Sequence, residues 1–460
     1  MKRVIVLFLF VFIQTNVFFA QQIKGQFSAL PNQSIKLQGF DNFDTYVIDS
    51  TQTDAAGNFT LQFTQQDYGM GLLVPEKNKS FITVLSNEDV KLKGSTTAAP
   101  ESIKLTEGTQ NIAFIDYVSQ QPKRDQALSA WSYLKKMYAT EDIFSEEKSP
   151  KKAITKEIKR IHKSEASFLK DLPEESYVKW YIPTRKLLGS VAQVAQYRTE
   201  EIPATREALR EMNFADERLY KSGLLKEAIE NHIWFIENSS GNLDQVFADL
   251  NTSVDIILDQ LTEDNEKFNL VASKMFEVLE ERSLFTSSEY LSKKLLESDD
   301  CGCLNIDLEK RLHKYGKMAT GAKAQDISFT EYTYFPEGVS ATKMSELKAD
   351  YYLVVFAAGW CPHCTESLPK IAKMYPEFKE KNVEVILVSL DENAKDFAQF
   401  AAPFPFISTT DYQKWDGKAV ADYQVFGTPS YFMLDQELTI VKKLKSVDHI
   451  KSYIDYKIKE

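Results

Sequence analysis

The chain has 460 residues, 43% hydrophobic and 26% charged, with a formal net charge of −11 and four cysteines. That length exceeds one ordinary hydrophobic core and predicts two or three domains, and the composition excludes long disorder. The acidic balance excludes the electrostatic footprint of a nucleic-acid or anionic-lipid binder.

Residues 1–20 read as a secretory signal peptide. Lys2 and Arg3 form a basic start, residues 4–13 are apolar, Gln14 to Asn16 break the run, and the small Ala20 precedes Gln21. The apolar run is shorter than the roughly 20 residues a spanning helix needs. No cysteine follows it to carry a lipid. The mature chain is therefore expected in an oxidising compartment, a bacterial periplasm or cell envelope, with no stable membrane insertion.

Residues 21–100 alternate apolar and polar positions in short runs. Ile35/Leu37, Tyr46/Ile48, Phe59/Leu61/Phe63 and Val90/Leu92 step by two, the period of a half-buried strand. Pro31-Asn32, Asp41-Asn42, residues 54–58 and Gly69 supply turns. The spacing predicts an antiparallel all-β sandwich or barrel. From 101 to 315 the period becomes helical: Ile154, Ile158, Ile161, Phe168 and Leu172 share one face, as do Val271, Met275, Val278 and Leu279. Pro173 and Pro183 read as breakers in an α-helical bundle, and the mixed-charge run 145–163 reads as a solvated helix face.

Residues 316–460 alternate strand and helix. The continuous apolar run 352–357 has the character of a strand buried on both faces. A helix is expected from Cys361, a strand at 383–390, a helix at 391–402, a short strand at 406–409 and a helix at 414–423. A hairpin at 431–434 and 438–444 and a terminal helix at 447–458 close the region.

The first of these strands runs directly into Trp360-Cys361-Pro362-His363-Cys364. Cys361 falls at a helix N-terminus, where free amides and the helix dipole stabilise a thiolate. Pro362 takes a first-turn position, where its missing donor costs nothing. The spacing puts Cys364 one turn on, within reach of a mixed disulfide at Cys361. His363 can lower the thiol pKa further when charged. Half of a zinc site is the alternative, but Cys301-Gly302-Cys303 has the wrong spacing to complete it, and no metal is expected.

Phe426-Gly427-Thr428-Pro429-Ser430 precedes the closing hairpin. With this second element, residues 320–460 resemble the TlpA/ResA-like branch of the thioredoxin family, whose envelope members exchange disulfides with proteins, cytochrome c-type biogenesis included. The resemblance implies an α/β thioredoxin-like domain over 316–460. It also implies a redox-active Cys361–Cys364 disulfide with no further cofactor, and a cis Pro429 beside it. Thr428 would then offer backbone hydrogen bonds to a bound substrate segment. Implied partners are protein thiols and disulfides of the envelope and an upstream redox partner, with no nucleic acid. Residues 21–100 are similar to the β-rich module that precedes such domains.

Two positions depart from the pattern. Thioredoxin itself places a buried Asp where this chain has Val355, and the ResA-like branch has Glu where this chain has Ser367, with Glu366 as the neighbouring carboxylate. The proton acceptor for the resolving thiol is thus unassigned. The Pro-His dipeptide is also that of the oxidant DsbA, and the direction of electron flow stays open. Cys301 and Cys303 form a candidate relay to Cys361, or a turn whose thiols oxidise by default. A thiol peroxidase would want Thr or Ser at Ala358. A partner-binding protein that uses the domain only for docking is the other alternative.

Overall fold

The structure, a computed structural model, describes residues 20–297 and 304–458. The leader up to residue 19, Cys301 and Cys303 lie outside the described residues.

The alternating segments form eight strands: β1 (Gln21–Phe27), β2 (Ser34–Asp41), β3 (Asp44–Gln52), β4 (Asn58–Phe63), β5 (Gly69–Pro75), β6 (Phe81–Leu85), β7 (Val90–Gly94) and β8 (Lys104–Glu107). They build two four-stranded sheets, ordered β4-β1-β7-β8 and β3-β2-β5-β6. Ile23, Phe27, Leu61 and Leu92 of the first pack with Ile35, Leu37, Leu73 and Phe81 of the second in one core, so the expected sandwich forms. Gly25 has no side chain because the Phe59 ring covers it; a Cβ there would lie 2.1 Å from that ring. One expectation needs correction: β1 and β7 pair in parallel, with Ile23 opposite Val90. The alternation of apolar residues has the same period in both kinds of ladder and carries no direction.

Helices dominate the middle of the chain as expected, among them Thr109–Thr140, Lys148–Asp171, Tyr177–Tyr197, Leu243–Asp259, Asn265–Glu281, Phe285–Glu297 and Ile306–Gly316. Pro173 separates two of these, but Pro183 lies inside Tyr177–Tyr197 and breaks nothing. An interior proline costs about 3 kcal/mol. Burial of Val178, Tyr181, Ile182 and Leu188 along this helix offsets that cost. No helix among the described residues is long and apolar enough to cross a membrane.

The chain divides into two compact units. One holds the sandwich and the following helices to Val191, with Asp216–Ala228; the other holds Ala192–Ala215 and the chain from Ile229 onward. In the second unit Val271, Met275, Val278 and Leu279 are all buried, as their spacing predicts. That unit also contains a five-stranded sheet ordered β11-β10-β9-β12-β13, from β9 (Tyr351–Ala357), β10 (Val383–Ser389), β11 (Ile407–Thr410), β12 (Ser430–Asp435) and β13 (Ile440–Leu444). β9, β10 and β11 run parallel, and β12 and β13 are antiparallel.

β9 is apolar throughout because both of its faces are covered. Leu353, Val355 and Ala357 enter a core with Leu368 and Ile371 of the helix Pro362–Glu380 and Ile450 and Ile454 of the helix Val447–Lys457. Tyr352, Val354 and Phe356 enter a second core with Ile327, Met344, Val420 and Tyr423. This is the expected thioredoxin-like arrangement.

The helix expected at 414–423 is instead a tight turn, Lys414–Asp416, and a short helix, Lys418–Asp422. Lys414 has φ +52°, which no right-handed helix accommodates, and the Asp411 carboxylate accepts the amides of both Gln413 and Lys418. The helix expected at 391–402 begins later, at Ala394, capped by Asn393.

Candidate active site

The redox motif sits at the carboxyl end of β9, where the chain turns into the helix Pro362–Glu380. Cys361 is the N-cap of that helix, and its sulfur accepts the Cys364 amide at 3.2 Å. A side-chain acceptor at this position satisfies an amide with no partner inside the helix. The same amides and the helix dipole favour negative charge on the sulfur. Pro362 fills the first helical position, and His363 lies exposed on the first turn.

Cys361 and Cys364 are joined in a disulfide with Cα atoms 5.2 Å apart. Cys361 is 5% exposed and Cys364 is 0% exposed, so only the first residue reaches the surface. The Thr428–Pro429 bond is cis, and the Thr428 carbonyl oxygen lies 3.3 Å from the Cys361 sulfur. β12 follows at once, with Ser430 paired to Phe356 of β9, which fixes the Thr-Pro turn against the motif.

The two departures from the pattern have different outcomes. Val355 is fully buried in the core that also holds Cys361 and Cys364. Ser367 lies beside the Tyr431 hydroxyl, which burial pushes up to about 12, so this neutral pair occupies the place of the expected carboxylate. Glu366 does not substitute. It is exposed and ion-paired to Lys370 at 2.8 Å, and that hydrogen bond holds its carboxyl below the usual range.

A carboxylate that sequence reasoning missed stands on the neighbouring strand. Asp391 follows the carboxyl end of β10 and is buried, and it accepts the Gly359 amide and the Ser389 hydroxyl. The Leu390 amide donates to Ala357, and the Trp360 indole N–H points to the Leu390 carbonyl at 3.5 Å. The 389–391 turn therefore grips the motif from Ala357 to Trp360. The available signal was an acidic residue directly after an apolar strand.

Trp360 itself is exposed and meets Trp415 at a ring-centroid distance of 6.1 Å. The Lys414 ammonium lies 5.5 Å over the Trp360 ring and pairs with Glu392 at 2.9 Å.

A thiolate-stabilising helix N-terminus, a disulfide at its cap and a cis-proline turn alongside define a thioredoxin-like oxidoreductase domain. Residues 319–457 match the Redoxin family. Similarity to two relatives named thiol-disulfide oxidoreductase ResA supports a TlpA/ResA-like thioredoxin branch for this domain. The protein from Bacillus thuringiensis subsp. konkukian is 26% identical over 150 residues, covering 32% of this chain and 81% of the relative. The one from Oceanobacillus iheyensis is 26% identical over 156 residues, covering 33% and 77%. Among solved structures, a thioredoxin-like protein from Bacteroides caccae aligns with TM-score 0.38 and 19% identity, covering 55% of this chain and 93% of the other. A thiol:disulfide interchange protein from Bacteroides sp. aligns with TM-score 0.26 and 25% identity, covering 30% and 91%.

Proposed function

We propose that this chain is an envelope thiol–disulfide oxidoreductase that exchanges disulfides with proteins through the Cys-Pro-His-Cys centre. The observation that carries the reading is the position of Cys361, whose sulfur caps the helix and stands beside the Thr428 carbonyl. In the reducing direction the Cys361 thiolate attacks one sulfur of a substrate disulfide. A mixed disulfide forms, and the second substrate sulfur leaves as a thiolate. Cys364 then attacks the Cys361 sulfur, expelling the first substrate sulfur, and its proton passes to a departing substrate thiolate. Two electrons have passed to the substrate and the pair is oxidised. Oxidation of a substrate dithiol runs the same steps in reverse.

Trp360, Pro362 and His363 tune the pair or touch the substrate, and the backbone at Thr428 and Pro429 lies along the bound segment. An upstream redox partner resets Cys361–Cys364, and the disulfide itself is the redox centre, with no added cofactor. The leader at residues 1–20 supports delivery to the periplasm or cell envelope.

Insulin reduction and dithiol oxidation by the full chain, compared with Cys361→Ser, test this reading. Turnover should vanish in the variant; equal turnover in both proteins overturns the proposal. Cys364→Ala should accumulate mixed disulfides that identify the substrates.

Cys301 and Cys303 enter as a candidate relay, on the sequence alone. Mild oxidation of a Cys303→Ser, Cys364→Ser variant should then give a Cys301–Cys361 link within one chain. Its absence, with normal turnover of Cys301→Ser, Cys303→Ser, removes the relay.

A further inference from the structure

Large aromatic side chains exposed to water are costly and mark sites of contact, above all where they border a reactive group. Trp360, Trp415 and Phe426 are 47%, 40% and 51% exposed. All three flank Cys361 along the chain or in space. Trp360 precedes it, Trp415 packs on Trp360, and Phe426 lies two residues before Thr428, whose carbonyl touches the Cys361 sulfur. The Trp360 and Trp415 rings meet at 60°, so the two indoles form an open angle rather than a closed stack.

The loop that carries Trp415 is built to hold it there. Asp411 accepts the Gln413 amide at 3.0 Å and the Lys418 amide at 3.2 Å, and Thr410 accepts the Tyr412 amide at 3.1 Å. Tyr412 and Lys414 both adopt left-handed backbone, with φ +58° and +52°. Such residues persist only where their surroundings over-determine them, and they gather at functional sites. Gly417 completes the turn, because a Cβ there would lie 2.8 Å from the Asp411 carboxylate. Lys414 then fixes the pair from one side, over Trp360 and bonded to Glu392. With Lys414 over one face of Trp360 and its charge paired, the exposed remainder of the two indoles is the recognition surface, and it favours a flat apolar partner.

We propose that Trp415 is a specificity-determining residue of the exchange reaction. With Trp360 it clamps an aromatic side chain next to the reacting cysteine of an extended polypeptide substrate. Lys414 and Asp411 are positioning residues for this clamp. The proposal rests on the oxidoreductase reading above, since the substrate must bring a sulfur to Cys361 and its chain must then cross the rings that border it.

The test uses the full chain, reduced and freed of reductant, with short peptides of sequence X-Cys whose thiol is joined to thionitrobenzoate. Attack of Cys361 on the peptide sulfur forms the enzyme–peptide disulfide and releases coloured thionitrobenzoate, so each turnover is counted. With X as Phe the second-order rate should exceed that with X as Gly by about tenfold, equivalent to about 1.4 kcal/mol. Trp415→Ala should bring that ratio close to one, and Trp415→Phe should retain most of it. A flat response in the wild type overturns the clamp, as does a preference that survives Trp415→Ala. Failure of the underlying reading looks different: release by the wild type no faster than by Cys361→Ser, whatever residue stands at X.

Discussion

The Gly359 amide donates to both carboxylate oxygens of Asp391, at 3.0 and 3.2 Å, across the carboxyl ends of two neighbouring strands. The contact fixes the loop two residues before the attacking sulfur and sets a buried carboxyl group against that loop. Asp391→Ala should cost about 1–3 kcal/mol, because it removes the acceptor from Gly359 and Ser389 together. Asp391→Asn keeps one acceptor oxygen and removes the charge. Any negative charge there that opposes the thiolate is then gone, so the Cys361 thiol should ionise at lower pH. The pH profile of iodoacetamide labelling measures this, and an unmoved midpoint would show that Asp391 acts on the backbone alone.

Cys361 should be the attacking thiol. Its sulfur accepts an amide at the helix N-terminus and the residue retains some exposure, whereas Cys364 is sealed in the core. The reduced protein should alkylate at Cys361 well below pH 8 with Cys364 protected, as read by peptide mapping. Faster labelling of Cys364 would falsify the assignment.

His363 should tune the redox potential. It lies exposed on the first turn, one residue from the Cys364 amide that the Cys361 sulfur caps. When charged it adds to the field that stabilises the thiolate. A neutral replacement should therefore raise the Cys361 pKa and make the pair less oxidising. A change of about 30 mV corresponds to about 1.4 kcal/mol for this couple, within reach of a glutathione equilibrium. An unchanged potential takes His363 out of the mechanism.

The parts of this site that were legible in the sequence are those with local causes. β9 could be read because two cores cover it, leaving no polar position from Tyr352 to Ala357. The Cys-Pro-His-Cys turn could be read because capping and spacing act within one helical turn. Asp391 leaves only a weak trace, an acidic residue after an apolar strand, because the amide it holds in the motif is 32 residues away and a backbone group has no sequence signature. The Trp415 loop has the residue pattern of a helix because Asp411, which bends it, acts through the main-chain amides of Gln413 and Lys418. Pro183 misled for the opposite reason: a strong local rule was overruled by burial along the whole helix.

His232 should make the second compact unit sensitive to acid. The ring is fully buried, and neither nitrogen has a hydrogen-bond partner among the described residues. Burial, with Arg210 nearby, lowers its pKa from 6.5 to about 4. The unfolded chain therefore binds a proton between those values that the folded chain refuses. Stability from this residue is complete above pH 6.5 and falls by about 1.4 kcal/mol per unit as the pH drops toward 4. Urea denaturation at pH 7 and pH 5 should show the loss, and His232→Leu should remove that part of the slope. A variant with the wild-type slope places the acid sensitivity elsewhere.

Lys443 and Glu280 should make a pH-dependent contribution of the opposite sign. Lys443, on β13, is buried with its ammonium 3.8 Å over the Tyr315 ring and 3.9 Å from Glu289. Glu280 accepts the Tyr315 hydroxyl at 2.7 Å and the Ser288 hydroxyl. Burial raises the pKa of Glu280 and lowers that of Lys443, so desolvation opposes both charges while each still supports the other. Lys443→Met leaves Glu280 without that cation and should cost about 3–5 kcal/mol where the carboxylate must stay charged. A carboxyl whose folded pKa is raised adds stability below its unfolded value and loses it as the pH rises through the folded value. The penalty of Lys443→Met should thus be larger at pH 8 than at pH 5, because protonation of Glu280 as the pH falls removes the uncompensated charge. Adding Glu280→Gln should flatten that dependence and recover most of the stability. A penalty equal at both pH values would mean that Lys443 contributes by packing on Tyr315 and Phe285 rather than by its charge.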